Sequence, residues 1–458
     1  MAKPIAYYDP SRQLARVVEL TDVVPHPNAD RLDLAIVDGW QVITGRGTWK
    51  KGDKALFCEV GGLLPISVPE FFDAARDNVK TFNEIEYAYI KSIKLRKEIS
   101  QGYICPIPKK FKDKPAGTDL TRELGVLKYE SNPVQAQTLG AAELGDRHEK
   151  SILQKIINFI GGEPVSNLLP FPEDEVKRSS ESRAQNMLNK LSSISEAEDG
   201  FEVSVKLDGN SMTVHFTENT ELPSIDDEEE YTPKPIEESI EARLLSRDTE
   251  ISLKPIDIGV VKAARLYAAG VLNGIRRRFN GATKIYWPTF KTVLPVPNNH
   301  FTQMFNLLMA DGLKERVAKY WSKTSGVSIS FQGEVIGPGV DAGSRSNYEG
   351  VKELQFRVYR VFIDGEEVSP DVCREICEDM NLQMVPILDK DFKIRTLYEL
   401  DGDSGRYFLN IRKLLEMAEG PRALAQGGQR EGIVLKSNKT NVTCKVISNA
   451  FLLKNGDD

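Results

Sequence analysis

The chain has 458 residues, of which 40% are hydrophobic and 28% are charged, and its formal net charge is −7. This composition is ordinary for a soluble globular protein, and the length allows two or three domains. The overall charge does not indicate a nucleic-acid partner, although a local basic stripe on an acidic protein can still bind phosphates.

Export, a membrane span and a structural zinc site are not indicated by the sequence. The N-terminal residues lack the apolar core of a signal peptide. The longest apolar candidate for a span, around residues 260–275, is interrupted by Lys262 and Arg265. Cys373 and Cys377 lie one helical turn apart, but no second pair of ligands completes a zinc set. We therefore expect a cytoplasmic protein with reduced thiols and no membrane association.

Residues 13–110 predict a small β-barrel. Short apolar or alternating runs at 14–20, 34–37, 40–44 and 54–60 are separated by turn-forming segments. Strands at this spacing are typical of the OB-fold, the commonest small barrel that binds oligonucleotides. The segment at 26–32, His-Pro-Asn-Ala-Asp-Arg-Leu, also resembles the opening of tRNA-binding OB modules. We therefore predict an OB-fold domain over residues 1–112.

One strand of this barrel carries a predicted basic edge, formed by Lys91, Lys94, Arg96 and Lys97. The barrel also contains Trp40 and Trp49. We expect both tryptophans to pack in the barrel core, and stacking on a nucleic-acid base is the alternative.

The rest of the chain is predicted to form a linker and a larger domain. Residues 113–165 have little pattern apart from a helix at 150–161 that ends at a glycine. Residues 166–458 alternate irregularly between helix and strand, which predicts an α+β domain. Two insertions interrupt it: one near 218–240 contains an acidic loop at 226–230, and one near 255–295 contains a helix ending in Arg276, Arg277 and Arg278.

The first chemical motif is Lys206-Leu-Asp208-Gly209, which lies between two alternating β runs. A lysine there projects from a strand end into a cleft, and the glycine allows another backbone or a ligand to approach closely. By itself the motif is weak evidence, because the triplet should occur by chance in about one protein in ten of this length. An isolated strand-end lysine is ordinarily solvated.

Five further segments follow this motif in order, and together they remove the chance explanation. They are Ser-Arg-Asp at 246–248, Phe-Gln-Gly-Glu-Val-Ile-Gly at 331–337, Phe-Arg-Val-Tyr-Arg-Val-Phe at 356–362, Arg-Glu-Gly-Ile-Val-Leu-Lys at 430–436 and Cys-Lys-Val-Ile-Ser at 444–448. As a set they resemble the nucleotidyltransferase motifs of polynucleotide ligases and RNA capping enzymes. The closest resemblance is to the ATP-dependent RNA ligases with an N-terminal OB module, over residues 170–454 and more loosely over 13–110.

The resemblance implies an adenylyltransferase (ATP-grasp-like ligase) domain with two antiparallel sheets and flanking helices. It implies an RNA ligase that joins 3′-hydroxyl and 5′-phosphate ends in RNA repair, with ATP and Mg²⁺ or Mn²⁺ as cofactors, acting as a monomer. Lys206 would become the site of covalent AMP. The other implied catalytic residues are Asp208, Glu334, Glu431, Lys436 and Lys445. The implied metal-binding residues are Asp208, Glu334 and Glu431, and the further nucleotide-binding residues are Gln185, Arg247 and Phe356 or Tyr359.

The chemistry fits these residue types. A lysine that attacks the α-phosphate of ATP must be neutral, whereas a free lysine is protonated at pH 7. We expect a metal and the cations Lys436 or Lys445 to lower the pKa of Lys206. Glu334 and Glu431 lie in apolar β runs, where an unpaired carboxylate would be costly, and this favours a functional role.

Three features depart from the family pattern. RNA ligases often have Asn at the position of Asp248, and many have a second lysine at the position of Ile447. The upstream segment 178–186, which contains Gln185, only partly resembles the family's Lys-Thr-Asp-Glu-x-Arg-x-Gln-Asn. The absence of a lysine at 447 would leave more of the phosphate charge to Lys436.

Two alternatives remain at this stage. Capping enzymes and DNA ligases of this superfamily place an OB domain after the last lysine motif, but this sequence ends 13 residues after Lys445, at Asp458. That order favours an RNA ligase. A non-catalytic RNA-binding protein on the same fold is the second alternative, since fold alone does not prove activity. It would be expected to have lost the nucleophile or a metal-binding carboxylate, and Lys206, Glu334 and Glu431 are all present.

Overall fold

The computed structural model describes residues 5–10, 12–76, 78–130, 167–178, 181–218, 240–279, 290–321, 328–342, 345–400 and 407–455. The predicted helix at 150–161 and the acidic loop at 226–230 lie outside the described residues. Within these ranges, no helix is both long enough and apolar enough to cross a membrane.

The N-terminal module is built from short antiparallel strands. They are β1 (Ile5–Tyr7), β2 (Ala15–Glu19), β3 (Asp22–Pro25), β4 (Leu32–Val37), β5 (Trp40–Gly45), β6 (Lys54–Cys58), β7 (Gly62–Pro65), β8 (Val79–Phe82), β9 (Ile85–Tyr89), β10 (Ile93–Leu95), β11 (Glu98–Ser100), β12 (Tyr103–Cys105) and β13 (Leu127–Glu130). They form the sheets β1-β13-β7-β9-β8, β12-β6-β2 and β3-β4-β5, with β10-β11 as a hairpin. Trp40 is 1% exposed and lies in the core, which leaves its ring no face for a ligand.

This module continues beyond the predicted boundary at residue 112. Strand β13 pairs with both β1 and β7, and Leu120, Leu124 and Val126 are buried in the barrel core. Residues 113–126 have little strand-like pattern, and β13 itself is only four residues long. Long-range pairing with β1 places it in the barrel, so residues 113–130 belong to the barrel rather than to a linker.

The C-terminal domain contains two large sheets and several helices. Its strands are β14 (Leu168–Pro170), β15 (Ser182–Arg183), β16 (Phe201–Lys206), β17 (Asn210–Glu218), β18 (Ile240–Ser246), β19 (Thr249–Ile251), β20 (Ile256–Asp257), β21 (Val293–Leu294), β22 (Ser328–Ile336), β23 (Asp341–Ala342), β24 (Arg345–Ser346), β25 (Gln355–Ile363), β26 (Glu366–Glu367), β27 (Ile387–Phe392), β28 (Tyr398–Leu400), β29 (Tyr407–Leu409), β30 (Gly432–Ser437) and β31 (Thr443–Ile447). Its α-helices are α1 (Leu188–Ser192), α2 (Gly259–Phe279), α3 (His300–Ala310), α4 (Leu313–Trp321), α5 (Pro370–Asp379), α6 (Ile411–Ala418) and α7 (Asn449–Asn455). Single 3₁₀ turns occupy Pro69–Arg76, Lys109–Phe111, Ala184–Asn186, Glu196–Glu198 and Ile394–Leu397.

The two large sheets confirm the predicted architecture. Their strand orders are β14-β19-β18-β17-β22-β25-β26 and β15-β31-β30-β16-β27. The ladders are antiparallel except for β15, which runs parallel to β31. Each sheet buries one face under helices, so the two remaining faces are available to form a site between them.

Helices α3, α4 and α5 cover the larger sheet, and local sequence explains where they begin. Asn299 caps α3 by accepting a hydrogen bond from the Thr302 amide at 3.1 Å. Ser369 caps α5, with Pro370 at the first helical position. Their apolar faces pack on Phe331 and its neighbours on the sheet. Helices α1 and α6 cover the second sheet in the same way.

The predicted insertion at 255–295 begins and ends at a short ladder. Strand β20 pairs with β21, with Ile256 opposite Leu294, and α2 runs through the segment. The predicted helix is therefore confirmed. The side chains of Arg276, Arg277 and Arg278 lie outside the described part of the chain.

The barrel contacts the C-terminal domain through an apolar cluster and polar contacts. Ile99 of β11 is buried with Ile447, Phe451 and Leu452. Lys94 Nζ donates a hydrogen bond to the Leu453 carbonyl at 2.9 Å. These contacts define the junction between barrel and ligase-like domain.

A second junction contact lies at the β4–β5 turn, where Gly39 has φ +82°. A Cβ atom on Gly39 would lie 2.7 Å from Ile411 Cγ1 and 3.3 Å from Gln185 Cγ. The glycine therefore allows both the turn conformation and the close approach of α6.

We predict that Gly39→Ala destabilises the protein more than Gly365→Ala. Gly365 occupies the same place in another Asp-Gly hairpin turn, with φ +75°, but a Cβ atom on Gly365 would come no closer than 3.6 Å to its nearest neighbour, the Glu175 carbonyl oxygen. Both changes cost about 1–2 kcal/mol from the left-handed backbone, and only Gly39→Ala adds about 1–3 kcal/mol of overpacking. Urea unfolding of the two variants measures the difference. Equal losses would show that Ile411 does not press on the turn.

Candidate active site

Two glycines bring the chemical residues together. Gly209, in the turn between β16 and β17, lies against the Val335 carbonyl, and a Cβ there would also lie 3.0 Å from Glu334 Cγ. Gly432, which begins β30, lies against the Val446 carbonyl of β31. Any side chain at either position would push strands apart. The glycines therefore bring Lys206, Glu334 and Glu431 close to one another.

A cavity of about 840 Å³ lies between the two large sheets. Its walls include five predicted site residues: Lys206, Arg247, Glu334, Lys436 and Lys445. Tyr359, the alternative to Phe356, also lines it. The volume is within the range of small-molecule sites, and polar groups from several strands converge on it.

Strand alternation explains which residues face this cavity. Alternate residues of β16 line the wall: Glu202, Ser204 and Lys206. The neighbouring strands β30 and β31 contribute Val434, Lys436, Thr443 and Lys445. Since side chains two apart on a strand share one face, the lysines of the three motifs form a single surface.

Lys206 forms a two-pronged ion pair with Glu431. Its Nζ lies 2.8 Å from each of the two carboxylate oxygens. Burial by itself lowers the pKa of Lys206, but the carboxylates of Glu431 and Glu334 outweigh it and hold that pKa well above its ordinary value. This differs from the expectation that Lys436 or Lys445 would lower the pKa of Lys206. Among the protein's own groups, carboxylates dominate the surroundings of Lys206.

The pKa shifts of two neighbours, Glu334 and Lys445, favour the neutral form, whereas the shift of Lys206 favours the charged form. Removal from water raises the pKa of Glu334 to about 8, with Lys206 opposing the shift and Glu431 adding to it. Burial and the charge of Lys206 lower the pKa of Lys445 to about 8. Shifts of this size from burial and specific charge partners are typical of functional sites.

The carboxylates near Lys206 suit a divalent cation, but fewer of them are available than the three that the sequence predicts. Within the described residues, no three His, Cys, Asp or Glu side chains are placed to hold a metal ion together. Of the three predicted carboxylates, only Glu334 lines the cavity. Asp208 is paired with Arg345, whereas Glu431 is paired with the cavity lysine Lys206. The set available beside the cavity therefore reduces to Glu334 and Glu431. Glu334 forms no ion pair within the part of the chain that the structure describes. Mg²⁺ needs only one or two protein carboxylates beside phosphate oxygens, so this pair is sufficient.

Asp208 points instead into a buried polar cluster. Arg345 donates to its two oxygens at 2.6 and 3.2 Å, and the Asp208 amide donates to Glu349 at 3.0 Å. The Arg345 guanidinium lies 5.3 Å from the ring of Phe451 in α7. Asp208 therefore fixes the turn after Lys206 to a loop and to the junction with the barrel.

Of the two downstream lysines, Lys436 already has a carboxylate partner, whereas the strand neighbour of Lys445 is a cation. Lys436 Nζ lies 2.6 Å from Glu367. Lys445 lies opposite Arg183 in the parallel ladder. Ile447, at the position where many RNA ligases have a second lysine, is 5% exposed and packs in the junction cluster with Ile99.

A β-bulge separates the two aromatic candidates. The register between β22 and β25 passes from Arg360 to Val358, which leaves Tyr359 as the extra residue. Phe356 is 4% exposed and packs in the main core, so it does not face the cavity. Tyr359 does face it, and its hydroxyl lies 2.9 Å from Ser211 Oγ.

Of the two remaining predicted residues, Arg247 lines the cavity and Gln185 does not. Arg247 is exposed at the cavity wall beside Asp248, which accepts a hydrogen bond from Arg178 at 3.1 Å. Gln185 is 3% exposed and lies under Gly39 at the junction, away from the cavity lining.

Glu181 and Arg360 were missed as site residues. Both line the cavity, and their side chains pair at 2.9 Å. Burial opposes the charge of Glu181, yet Arg360 and the two lysines Lys445 and Lys206 hold its pKa below its ordinary value. The Glu-x-Arg pattern in segment 178–186 was the available signal for Glu181. Arg360 gave none, since the bulge turns it toward the cavity.

The fold and the site define a class: a two-sheet domain that encloses a lysine, joined to an N-terminal barrel, as in the polynucleotide ligases. The family model for an OB-fold domain matches residues 14–107, and the family model for RNA ligase matches residues 199–451, more than half of the chain. The chain therefore belongs to the RNA ligase family.

Solved structures of an RNA ligase from Naegleria gruberi are similar over almost the whole chain. The structure with pyrophosphate has a TM-score of 0.55 and 21% identity and covers 98% of this chain and 100% of that one. A variant with ATP and manganese has a TM-score of 0.57 and 20% identity, covering 97% and 100%. A variant with AMP and manganese has a TM-score of 0.56 and 20% identity, covering 98% and 100%. At these identities the likeness establishes the fold. No curated protein matches the chain.

We predict that Arg345→Met lowers the free energy of unfolding by about 3 kcal/mol, because it leaves the carboxylate of Asp208 buried without its partner. The Asp208 and Arg345 side chains are 6% and 13% exposed. Asp208→Asn with Arg345→Met should cost less than the sum of the single changes. Urea unfolding measures all three variants.

The control is Lys393→Met, which breaks an exposed ion pair with Asp391 and should change stability little. Additive effects of Asp208→Asn and Arg345→Met would contradict a coupled pair.

Proposed function

We propose that this protein is an ATP-dependent RNA ligase that joins RNA 3′-hydroxyl and 5′-phosphate ends and acts in RNA repair. The observation that carries the proposal is that Lys206, Glu334 and Lys445 line one cavity, where Lys206 is paired with Glu431. Membership of the RNA ligase family supports the substrate class. The ATP and AMP complexes of the Naegleria gruberi ligase support the nucleotide.

The reaction consists of three displacements at phosphorus. Lys206 Nζ attacks the α-phosphorus of ATP, forms a P–N bond, loses its proton and releases pyrophosphate. An oxygen of the RNA 5′-phosphate then attacks the same phosphorus, forms RNA-adenylate and returns the electron pair to Lys206. The RNA 3′-hydroxyl finally attacks the 5′-phosphorus, closes the phosphodiester and releases AMP. Positioning and electrostatic stabilisation supply most of the catalysis in such transfers.

The side chains around Lys206 have separate tasks in this sequence. Glu431 holds the lysine in place and accepts its hydrogen bonds. Lys436 would exchange Glu367 for phosphate oxygens, and together with Lys445 it would neutralise the charge on them. A divalent cation held by Glu334 and Glu431 would neutralise phosphate charge and draw both carboxylates away from the lysine, which favours its neutral form.

The adenine base would lie between Tyr359 and Val434. These residues lie on opposite sheets and both line the cavity. A flat ring and a β-branched side chain offer two apolar surfaces to a base. The hydrogen bond between Ser211 Oγ and the Tyr359 hydroxyl fixes the Tyr359 ring.

The barrel would bind the RNA near the break, and the protein would act as a monomer in the cytoplasm. We assign residues 1–130 to the barrel and the segment from Leu168 onward to the ligase domain. Label transfer from GTP instead of ATP would favour a capping activity, and a catalytically inactive chain would favour an RNA-binding scaffold.

We predict that the protein incubated with Mg²⁺ and α-labelled ATP acquires an acid-stable label that Lys206→Ala abolishes. The P–N bond needs the Lys206 amine, so loss should be complete rather than partial. The matched control is Lys352→Ala, which removes an exposed lysine of the same domain. Parallel reactions with labelled GTP and dATP test the nucleotide.

Mass spectrometry of the purified protein first checks for AMP acquired during expression. Equal labelling of Lys206→Ala and wild type would place the nucleophile elsewhere. No label from any nucleotide, on protein shown to be free of AMP, would refute the ligase reaction.

We predict that Tyr359→Leu raises the KM for ATP about tenfold, because base–aromatic stacking is worth about 1–3 kcal/mol. Tyr359→Phe keeps the ring and should retain most of the affinity. Phe356→Leu is the control: it should lower stability by up to about 1.5 kcal/mol with the KM for ATP unchanged. Single-turnover labelling of Lys206 at varied ATP measures all three variants. An increase in KM from Phe356→Leu alone would reverse the assignment.

A further inference from the structure

The β10–β11 hairpin concentrates positive charge on an otherwise acidic protein. Lys91, Lys94, Arg96 and Lys97 lie within seven residues and are all exposed, whereas the whole chain has a net charge of −7. The single carboxylate of residues 91–100 is Glu98, which accepts a hydrogen bond from Gln41 at 3.3 Å. The cations therefore face solvent without a matching acid in the hairpin.

The tip of this hairpin has an unfavourable backbone for the residues it carries. Arg96 and Lys97 form the two-residue turn between Leu95 and Glu98, and their φ angles are +52° and +71°. Two positive φ angles are typical of the type I′ turn, which favours Asn-Gly or Asp-Gly. A left-handed backbone costs each of these residues roughly 1–2 kcal/mol.

The other hairpins of this chain show the contrast. Two-residue turns with positive φ at both positions also occur at Asp38-Gly39, Asn83-Glu84 and Asp364-Gly365. Each of these begins with Asp or Asn, and two end in glycine. Among the described hairpins of this kind, only the β10–β11 tip has long cationic side chains at both positions. The strain at Arg96 and Lys97 is therefore not required by the fold.

The hairpin is also held firmly along both strands, up to the residue before its turn. His26 Nε2 lies 3.3 Å from the Leu95 carbonyl, and Lys94 Nζ donates to Leu453 at 2.9 Å. Ile99 is buried against Phe451 and Ile447. Ile447 is two residues after Lys445 on β31, so β11 adjoins the strand that carries a cavity lysine.

We propose that the tip of the β10–β11 hairpin, with Arg96 and Lys97, binds the sugar-phosphate backbone of the RNA strand that enters the cavity. This rests on the proposed ligase function and names the surface that its substrate contacts. Two cations on a tight turn, fixed beside the active-site strand, offer phosphates a rigid pair of contacts. Backbone contacts of this kind fix register and orientation without selecting sequence.

The test is Arg96→Asn with Lys97→Gly, which keeps the turn type and removes both charges. Relief of the left-handed strain should leave the thermal unfolding midpoint equal to or above that of the wild type. Labelling of Lys206 by ATP should be unchanged. Affinity for a fluorescein-labelled RNA, measured by anisotropy, should fall, and the slope of log K against log [salt] should decrease by about 0.7–0.9 for each lost phosphate contact.

The matched control is Lys112→Gln with Lys114→Gln, which removes the same charge from two exposed lysines elsewhere on the barrel. Its RNA affinity and salt slope should stay close to those of the wild type. Sealing of a nicked RNA duplex by Arg96→Asn/Lys97→Gly should be slow at low RNA concentration and recover at high concentration.

An unchanged affinity and salt slope for Arg96→Asn/Lys97→Gly would overturn the proposal, as would an equal loss in the control. A wild-type protein that binds no RNA would overturn it as well. Failure of the proposed function is distinguishable from these outcomes, because it appears as absent labelling of Lys206 while RNA anisotropy is measured separately.

Discussion

The ion pair between Lys206 and Glu431 is the interaction on which the rest of the site depends. Its 2.8 Å contacts require the end of β16 and the start of β30 to lie side by side, and Lys206 is paired with Gly432 in that ladder. Gly432 and Gly209 have no Cβ, so β31 and β22 can approach closely enough to add Lys445 and Glu334. A lysine enclosed by carboxylates is stable while protonated. Lys206 is therefore held in its protonated form, and in the proposed reaction it would be activated when other ligands occupy the acids.

Other cations of the cavity are also paired with carboxylates that a ligand could replace. Lys436 is paired with Glu367, and Arg360 is paired with Glu181. Removing one partner of a buried pair is costly, whereas replacing it with another anion is cheap. Phosphate groups that enter the cavity would replace carboxylates one for one. The site can thus remain folded without a nucleotide and still present cations to one, because its charges are compensated in both situations.

The sequence predicted most of the site because its chemistry follows strand alternation. Lys206, Glu334, Lys436 and Lys445 lie on strands whose alternation is visible in the sequence, and all four line the cavity. Phe356 lies off the cavity for a local reason: the bulge at Tyr359 shifts the alternation of β25, and a bulge has no clear signal in one sequence. Asp208 and Gln185 lie off the cavity lining for a tertiary reason, since Arg345 and Gly39 reach them from distant parts of the chain. The end of the barrel was not visible in the sequence either, because β13 is fixed by pairing with β1, more than a hundred residues earlier.

Ile447 departs from the family pattern and takes part in the contact between the barrel and the C-terminal domain. Where many RNA ligases carry a second lysine, this chain has an apolar residue that packs with Ile99 and Phe451 at the junction. A lysine there would bring a charge into a buried apolar cluster, which is costly unless it is paired. The strand thus lacks one cation, and the apolar contact anchors a hairpin that carries three, Lys94, Arg96 and Lys97. Compared with the family pattern, this chain has less positive charge on β31, and the barrel carries exposed cations close to that strand. The position of the barrel relative to Lys445 would therefore contribute to RNA binding.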